Sequence, residues 1–247
     1  MAPKQLKGSV ALVTGGAKRI GNAIALALAK RGAHVAITYN RSKAAADRTV
    51  RQLRSLRVRV LAVHVDQSDV QAVQQAVRGI EKKLGRIDLL VNNASNFYPT
   101  PLSRVTQGQW DDLVHTNLRG PFFFCQAVSR GMLKRKRGRI VNVADVAAFS
   151  PWVNYLPYCM AKAGVVAMTQ GLAKQLAPHV LVNAIAPGPI LRPSGLTRQA
   201  EKRALQKTLL KRWGSPQEMV NAVLYLAEGT AFMTGHVLVL DGGRALS

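Results

Sequence analysis

Acidic residues are scarce in this chain. Asp and Glu number 12 against 35 Lys and Arg, which gives a formal net charge of +23 and an isoelectric point near 11.1. Cysteine is nearly absent. Cys125 and Cys159 cannot make a disulfide framework, so a reducing cytoplasm is the expected setting. No apolar run approaches the length of a membrane span. The N-terminal stretch lacks the apolar core of a signal peptide, because Val10 to Val13 is too short. There is no Pro/Ser-rich linker, internal repeat or low-complexity tract, and no metal site is expected. These absences argue against a small secreted scaffold, a membrane protein and a string of modules.

What is present suits a single globular α/β domain over residues 1–247. Hydrophobic residues make up 48% and the mean hydropathy is +0.02, enough for a substantial core. The basic residues cluster at Arg48 to Arg59, Lys134 to Arg139 and Lys202 to Arg212. Such clusters attract anions: a phosphorylated cofactor, a polyglutamylated or carrier-bound substrate, or nucleic acid. They equally describe a solvated surface. No aromatic residues interleave them for base stacking, so the solvated surface is the preferred reading and nucleic acid is not an expected partner.

Strand-like and helix-like segments alternate. Apolar runs at 9–14, 34–39, 59–65, 89–92, 139–143, 180–186 and 237–240 read as strands. Helical patterns fall at 20–31, 44–54, 70–84, 110–132, 155–177 and 218–227, with Ser68 or Asp69 as a cap and Pro216 at a first turn. Seven strands joined by crossover helices require a parallel sheet covered on both faces. The basic stretch 189–215 has mixed turn signals and reads as a loop.

Thr14 to Gly21 joins strand one to helix one. Gly15 permits a tight turn, Gly21 permits close helix packing, and phosphate would rest on the helix N-terminus beside Lys18, Arg19 and Ile20. After strand two stand Tyr39, Asn40, Arg41 and Ser42, with no acid to hold ribose hydroxyls. Arg41 and Ser42 suit a 2′-phosphate, so NADPH is expected over NADH. Asp66 follows strand three as an adenine contact or a helix cap, with Gln67 beside it. Asn92, Asn93 and Ala94 end strand four where open α/β sheets bind ligands.

Tyr158 and Lys162 are four apart on a helical pattern, so they share one face. A phenol beside an ammonium is expected to have a lowered pKa and to donate a proton. Asp145 ends the strand run Ile140 to Val143, where a hydroxyl would suffice to polarise a carbonyl. A carboxyl group there suggests a substrate held or protonated at nitrogen; a strand-end cap is the plainer role.

Together Thr14-Gly15…Gly21, Asn92-Asn93-Ala94, Asn117, Tyr158-x-x-x-Lys162, Pro187-Gly188 and Asp241-Gly242-Gly243 resemble the short-chain dehydrogenase/reductases over the whole chain. The resemblance implies a Rossmann-type doubly wound sheet, a nicotinamide cofactor and commonly a homotetramer. Arg19 replaces the usual middle glycine, Asp145 the usual serine, and Ser95 the glycine after Asn-Asn-Ala. With the segment Asn92 to Leu102, these departures resemble the pteridine reductases. That likeness implies Tyr158 as proton donor, Lys162 on the nicotinamide ribose and Asn117 supporting Lys162 through water. Asp145 would handle protons at a pterin, Phe97 would stack on the ring, and Arg19 and Ser95 would touch pterin or cofactor. Gln67, Ala94, Pro187, Gly188 and Ile190 complete the implied cofactor contacts. The expected activity is NADPH-dependent reduction of a C=N bond in a dihydropterin or dihydrofolate. The alternatives are 3-oxoacyl-thioester reduction and a non-catalytic cofactor-binding regulator.

Overall fold

Seven strands form one parallel sheet in the order β3-β2-β1-β4-β5-β6-β7. The computed structural model describes residues 6–192 and 197–246. The strands are β1 (Val10–Val13), β2 (His34–Tyr39), β3 (Val60–His64), β4 (Leu89–Asn92), β5 (Gly138–Val143), β6 (Val180–Pro187) and β7 (Val237–Leu240). The chain winds outward from β1 to β3, then returns past β1 to lay β4 on its other side. That reversal opens a crevice at the carboxyl ends of β1 and β4, the place where such sheets take ligands.

Burial on both faces explains the uninterrupted apolar strands. In β1, Ala11 and Val13 enter one core with Ile24, Leu28, Leu53 and Met219; Val10 and Leu12 enter the other with Ile80, Phe124, Met132 and Leu176. The alternation is the two-residue period of a strand. The first core is covered by α1 (Arg19–Lys30), α2 (Lys43–Arg54) and α8 (Pro216–Leu224). The second is covered by α3 (Val70–Leu84), α5 (Gly120–Lys134) and α6 (Leu156–Leu176). Phe124 is fully buried, and truncating it to Ala would cost about 3–5 kcal/mol. No helix among the described residues is long and apolar enough to cross a membrane.

Asp69, not Ser68, caps α3, accepting from the amides of Gln71 and Ala72 at 2.8 and 3.1 Å. The region read as one helix from 110 to 132 is α4 (Gln107–Val114), a π turn (His115–Arg119) and α5. The stretch expected to be loop, 189–215, contains α7 (Arg198–Gln206); residues 193–196 of it lie outside the described residues. Its mean composition hid that helix, because six of its nine residues, Arg198, Gln199, Glu201, Lys202, Arg203 and Gln206, are strongly polar.

Candidate active site

A cleft of about 400 Å³ opens at the carboxyl ends of β1, β2 and β4. Gly15, Lys18, Arg19, Ile20, Gly21, Tyr39, Asn40, Arg41, Ser42, Asp66, Gln67, Asn93, Ala94 and Ser95 all line it. Gly15 has φ +62°, and a Cβ there would meet Ala94 Cα at 2.9 Å, so no larger residue fits without moving the β4 loop. No side chain caps the first turn of α1, which leaves its amides to an anion. Arg19 sits at φ +53°, a left-handed conformation that costs an L-residue roughly 1–2 kcal/mol. The strain explains why glycine is usual at this position, and it carries a cation into the cleft.

The β4 loop is stitched to β1. Thr14 Oγ1 accepts from the amides of Asn93 and Ala94, each at 3.0 Å, and Asn93 Nδ2 donates to Thr14 O at 2.9 Å. Asn93 is thus a strut of the cleft wall as well as part of its lining. Gln67 Nε2 donates to the carbonyls of Ala94 and Thr116. Asp66 accepts from the Ser68 amide and hydroxyl at 2.9 and 2.7 Å, so it closes the turn before α3 while also facing the cleft.

The proton-handling groups lie deeper, where β5 meets α6. Asp145 follows β5. Its Oδ1 accepts from the Ala147 amide at 2.8 Å, and its Oδ2 accepts from the Tyr158 hydroxyl at 2.8 Å. The cap and the chemical partner are therefore one residue. Burial raises the Asp145 pKa above the ordinary carboxylate value, against opposing pulls from the Ala147 amide, Tyr158, Lys162 and Arg244. Its protonated form is correspondingly more accessible than that of a surface Asp.

The expected lowering of the Tyr158 pKa is not found. Burial raises it well above the usual phenol value, and the Asp145 carboxylate adds to the rise. Lys162 does not reverse this. Its Nζ donates to Val143 O at 2.9 Å and lies 5.6 Å from the Tyr158 ring centroid. Burial in turn lowers the Lys162 pKa from 10.5 to about 8, with Asp145 opposing. What counts is desolvation, which periodicity does not report.

Asn117 lies in the π turn and is buried. It accepts from Ser95 Oγ at 2.6 Å and donates to Asn96 O and Leu113 O at 3.0 and 2.9 Å. This ties Asn117 directly to the Ser95 loop. The Ser95 hydroxyl also pulls on the Tyr158 phenol, so the two halves of the site meet there.

Phe97 is half exposed and stacks on Tyr155, with centroids 4.7 Å apart and planes 8° apart. It meets Tyr158 edge-on at 4.9 Å, and Trp152 edge-on at 6.0 Å. Sequence reasoning singled out Phe97 but missed Trp152 and Tyr155; an aromatic pair just before Tyr158 was the available signal. It also missed Asp112, whose carboxylate accepts from Asn96 Nδ2 at 2.9 and 3.0 Å and from the Tyr98 hydroxyl at 2.8 Å, fixing both neighbours of Phe97. Pro187 ends β6, Gly188 and Ile190 follow it, and none of the three lines the cleft; Ile190 is packed in the core.

These geometries can be set beside known proteins. The short chain dehydrogenase family model matches residues 9–204. A 3-oxoacyl-[acyl-carrier-protein] reductase of Synechocystis sp. is 38% identical over 244 residues, covering 98% of this chain and 98% of that protein. The 3-oxoacyl-[acyl-carrier-protein] reductase FabG of Thermotoga maritima is 37% identical over 246 residues, covering 98% and 100%. Among solved structures, the NADPH-dependent 3-quinuclidinone reductase of Rhodotorula rubra superposes with a TM-score of 0.92 at 28% identity, covering 98% of this chain and 93% of that one. With the family model spanning residues 9–204 and relatives 37–38% identical over nearly the whole chain, the chain belongs to the short-chain dehydrogenase/reductase family.

Proposed function

We propose that this enzyme is an NADPH-dependent reductase that adds hydrogen across the C=N bond of a flat nitrogen heterocycle of the dihydropterin type. The observation that carries it is the partly buried Asp145 carboxyl hydrogen-bonded to Tyr158. The donor set of the cleft suits NADPH: Lys18, Arg19 and Arg41 line it, α1 offers uncapped amides, and no acid follows β2. When bound, that cofactor supplies a hydride from C4 of its nicotinamide.

The chain's own residues then have to supply a proton at nitrogen. Reducing a ketone develops an oxyanion, which needs donors and is repelled by a carboxylate. Reducing a C=N bond needs an acid at nitrogen, and a Tyr158–Asp145 pair with raised pKa values can hold that proton. An ionised Asp145 also accepts from the amino group of a pterin, which a serine would do weakly. Phe97, backed by Tyr155, offers a flat surface to the ring.

A second reading is favoured by the relatives. The relatives from Synechocystis sp. and Thermotoga maritima are named as 3-oxoacyl-[acyl-carrier-protein] reductases, and those names support the thioester alternative more than the pterin one. The two readings separate in one experiment. NADPH oxidation is followed with dihydrobiopterin, dihydrofolate and acetoacetyl thioesters, in the native enzyme and in Asp145→Ser. We expect pterin turnover that D145S abolishes, with thioester turnover unchanged or improved. Turnover confined to thioesters in the native enzyme overturns the pterin reading.

A homotetramer in the cytoplasm completes the proposal. Phe122 and Leu133 on α5, Met160 on α6, and Phe232 and Val239 around β7 are exposed apolar side chains that a second copy would cover. Light scattering tests the assembly.

A further inference from the structure

Phe97 stands on a stretch that its own backbone does not fix. Residues 93–100 form neither helix nor strand, and Phe97 is 49% exposed. A side chain on such a loop keeps its place only through bonds that its neighbours make. The carboxylate of Asp112, in the last turn of α4, takes both neighbours at once. Its Oδ1 accepts from Asn96 Nδ2 at 2.9 Å, and its Oδ2 accepts from the Tyr98 hydroxyl at 2.8 Å. Asn96 O in turn accepts from Asn117 Nδ2 at 3.0 Å. Asp112 is itself anchored through Leu113, which is fully buried in the cluster that holds Tyr158. Beyond Tyr98, the Thr100 amide donates to Asn154 O at 2.6 Å, one residue before the Tyr155 ring on which Phe97 stacks. The Phe97 ring is thus pinned from α4 on one side and from the Tyr155 segment on the other.

We propose, on the reading above that Phe97 faces the substrate, that Asp112 is a positioning residue: by holding Asn96 and Tyr98 it sets the Phe97 ring as one wall of the substrate slot. Such a wall is useful only if it stands still. Misplacing a substrate by about 1 Å costs roughly 100-fold in rate. Phe97 meets Tyr158 edge-on at 4.9 Å, so a shift of the wall is felt at the phenol. A carboxylate suits the task. Asn96 and Tyr98 both present donors, and an ionised carboxylate accepts from both through charge-assisted bonds roughly twice as strong as neutral ones. An amide there offers one acceptor oxygen for two donors. Asp112 also lines the cofactor cleft, so cofactor affinity has to be measured apart from the effect on substrate.

The test is a double-mutant cycle in the full-length enzyme: native, Asp112→Ala, Phe97→Leu and the double variant. NADPH oxidation is followed with dihydrobiopterin and with acetoacetyl coenzyme A, at NADPH concentrations set saturating for each variant by its own titration. We expect Asp112→Ala to lower kcat/KM for substrate roughly 10- to 100-fold when Phe97 is present, and by no more than about twofold once it is Leu. Asp112→Asn should recover part of the loss. Urea melts separate positioning from scaffolding: the stability lost in Asp112→Ala should persist in the Phe97→Leu background, where the kinetic loss does not. If Asp112→Ala fails to fold, Tyr98→Phe removes one of the two bonds and takes its place in the cycle, with an expected loss of roughly 3- to 10-fold. An equal kinetic loss in both backgrounds overturns the proposal, and so does a Phe97→Leu enzyme with native kcat/KM. Turnover of the thioester alone overturns the pterin reading instead, and the cycle run on that substrate still decides the role of Asp112.

Discussion

Around β1 and β2 the site is open, basic and built largely from main chain: a glycine turn, uncapped amides and three cationic side chains. Around β5 and α6 it is dry, and it works through three side chains, Asp145, Tyr158 and Lys162, whose charges are set by burial. The first region holds an anion by supplying donors that are ready before it arrives. The second handles a proton by making every charged form costly. One chain builds both, because the sheet ends in water at the cleft and in packed side chains beneath α6.

The largest expected effect is on the dry side. Tyr158→Phe should lower kcat roughly 10²- to 10⁴-fold, with NADPH affinity by equilibrium titration hardly moved. If cofactor affinity falls in step, the two regions are not separable.

Lys162 sharpens the contrast through stability. Its folded pKa of about 8 lies below the unfolded value of 10.5. Between those values the unfolded chain binds the extra proton, so stability from this group is present above about pH 10.5 and lost as pH falls through about 8. Lys162→Met should therefore be stabilising at pH 7 by up to about 3 kcal/mol relative to its effect above pH 10. Urea melts of both proteins across pH 7–10.5 read the difference, and a pH-independent offset would show that the lysine is not desolvated.

The basic side answers to charge alone. Arg41→Ala should raise the KM for NADPH roughly 10- to 100-fold and leave that for NADH little changed. Equal losses for both cofactors would remove the 2′-phosphate from the account. The smallest effect concerns Arg19: relieving its backbone with Arg19→Gly should gain at most about 1 kcal/mol in stability while weakening NADPH binding. A stability loss would mean that the arginine is held by contacts worth more than its strain.

The open side was legible in the sequence, since a glycine turn after an apolar strand and an arginine after the next are local patterns. The strand positions were equally plain, because two-sided burial leaves unbroken apolar runs such as Val10 to Val13. Long-range placement was less so. Asp145, Tyr158 and Lys162 were identifiable by type and spacing, but the direction of the tyrosine pKa came out opposite, since spacing shows a neighbouring charge and not the water excluded from it. Helix α7 was lost in a run of charges, and Trp152 and Arg244 meet across 92 positions of chain, a contact that no window of sequence contains.

The wide turn at His115–Arg119 has a consequence for how this helix can vary. It holds one residue more than a regular spiral would over the same rise, and that surplus swings Asn117 inward to grip Ser95. Deleting a single residue there would let the spiral run true and leave the flanking turns in register. The shortened helix would satisfy its own backbone better, yet the strap over the reaction chamber would come undone.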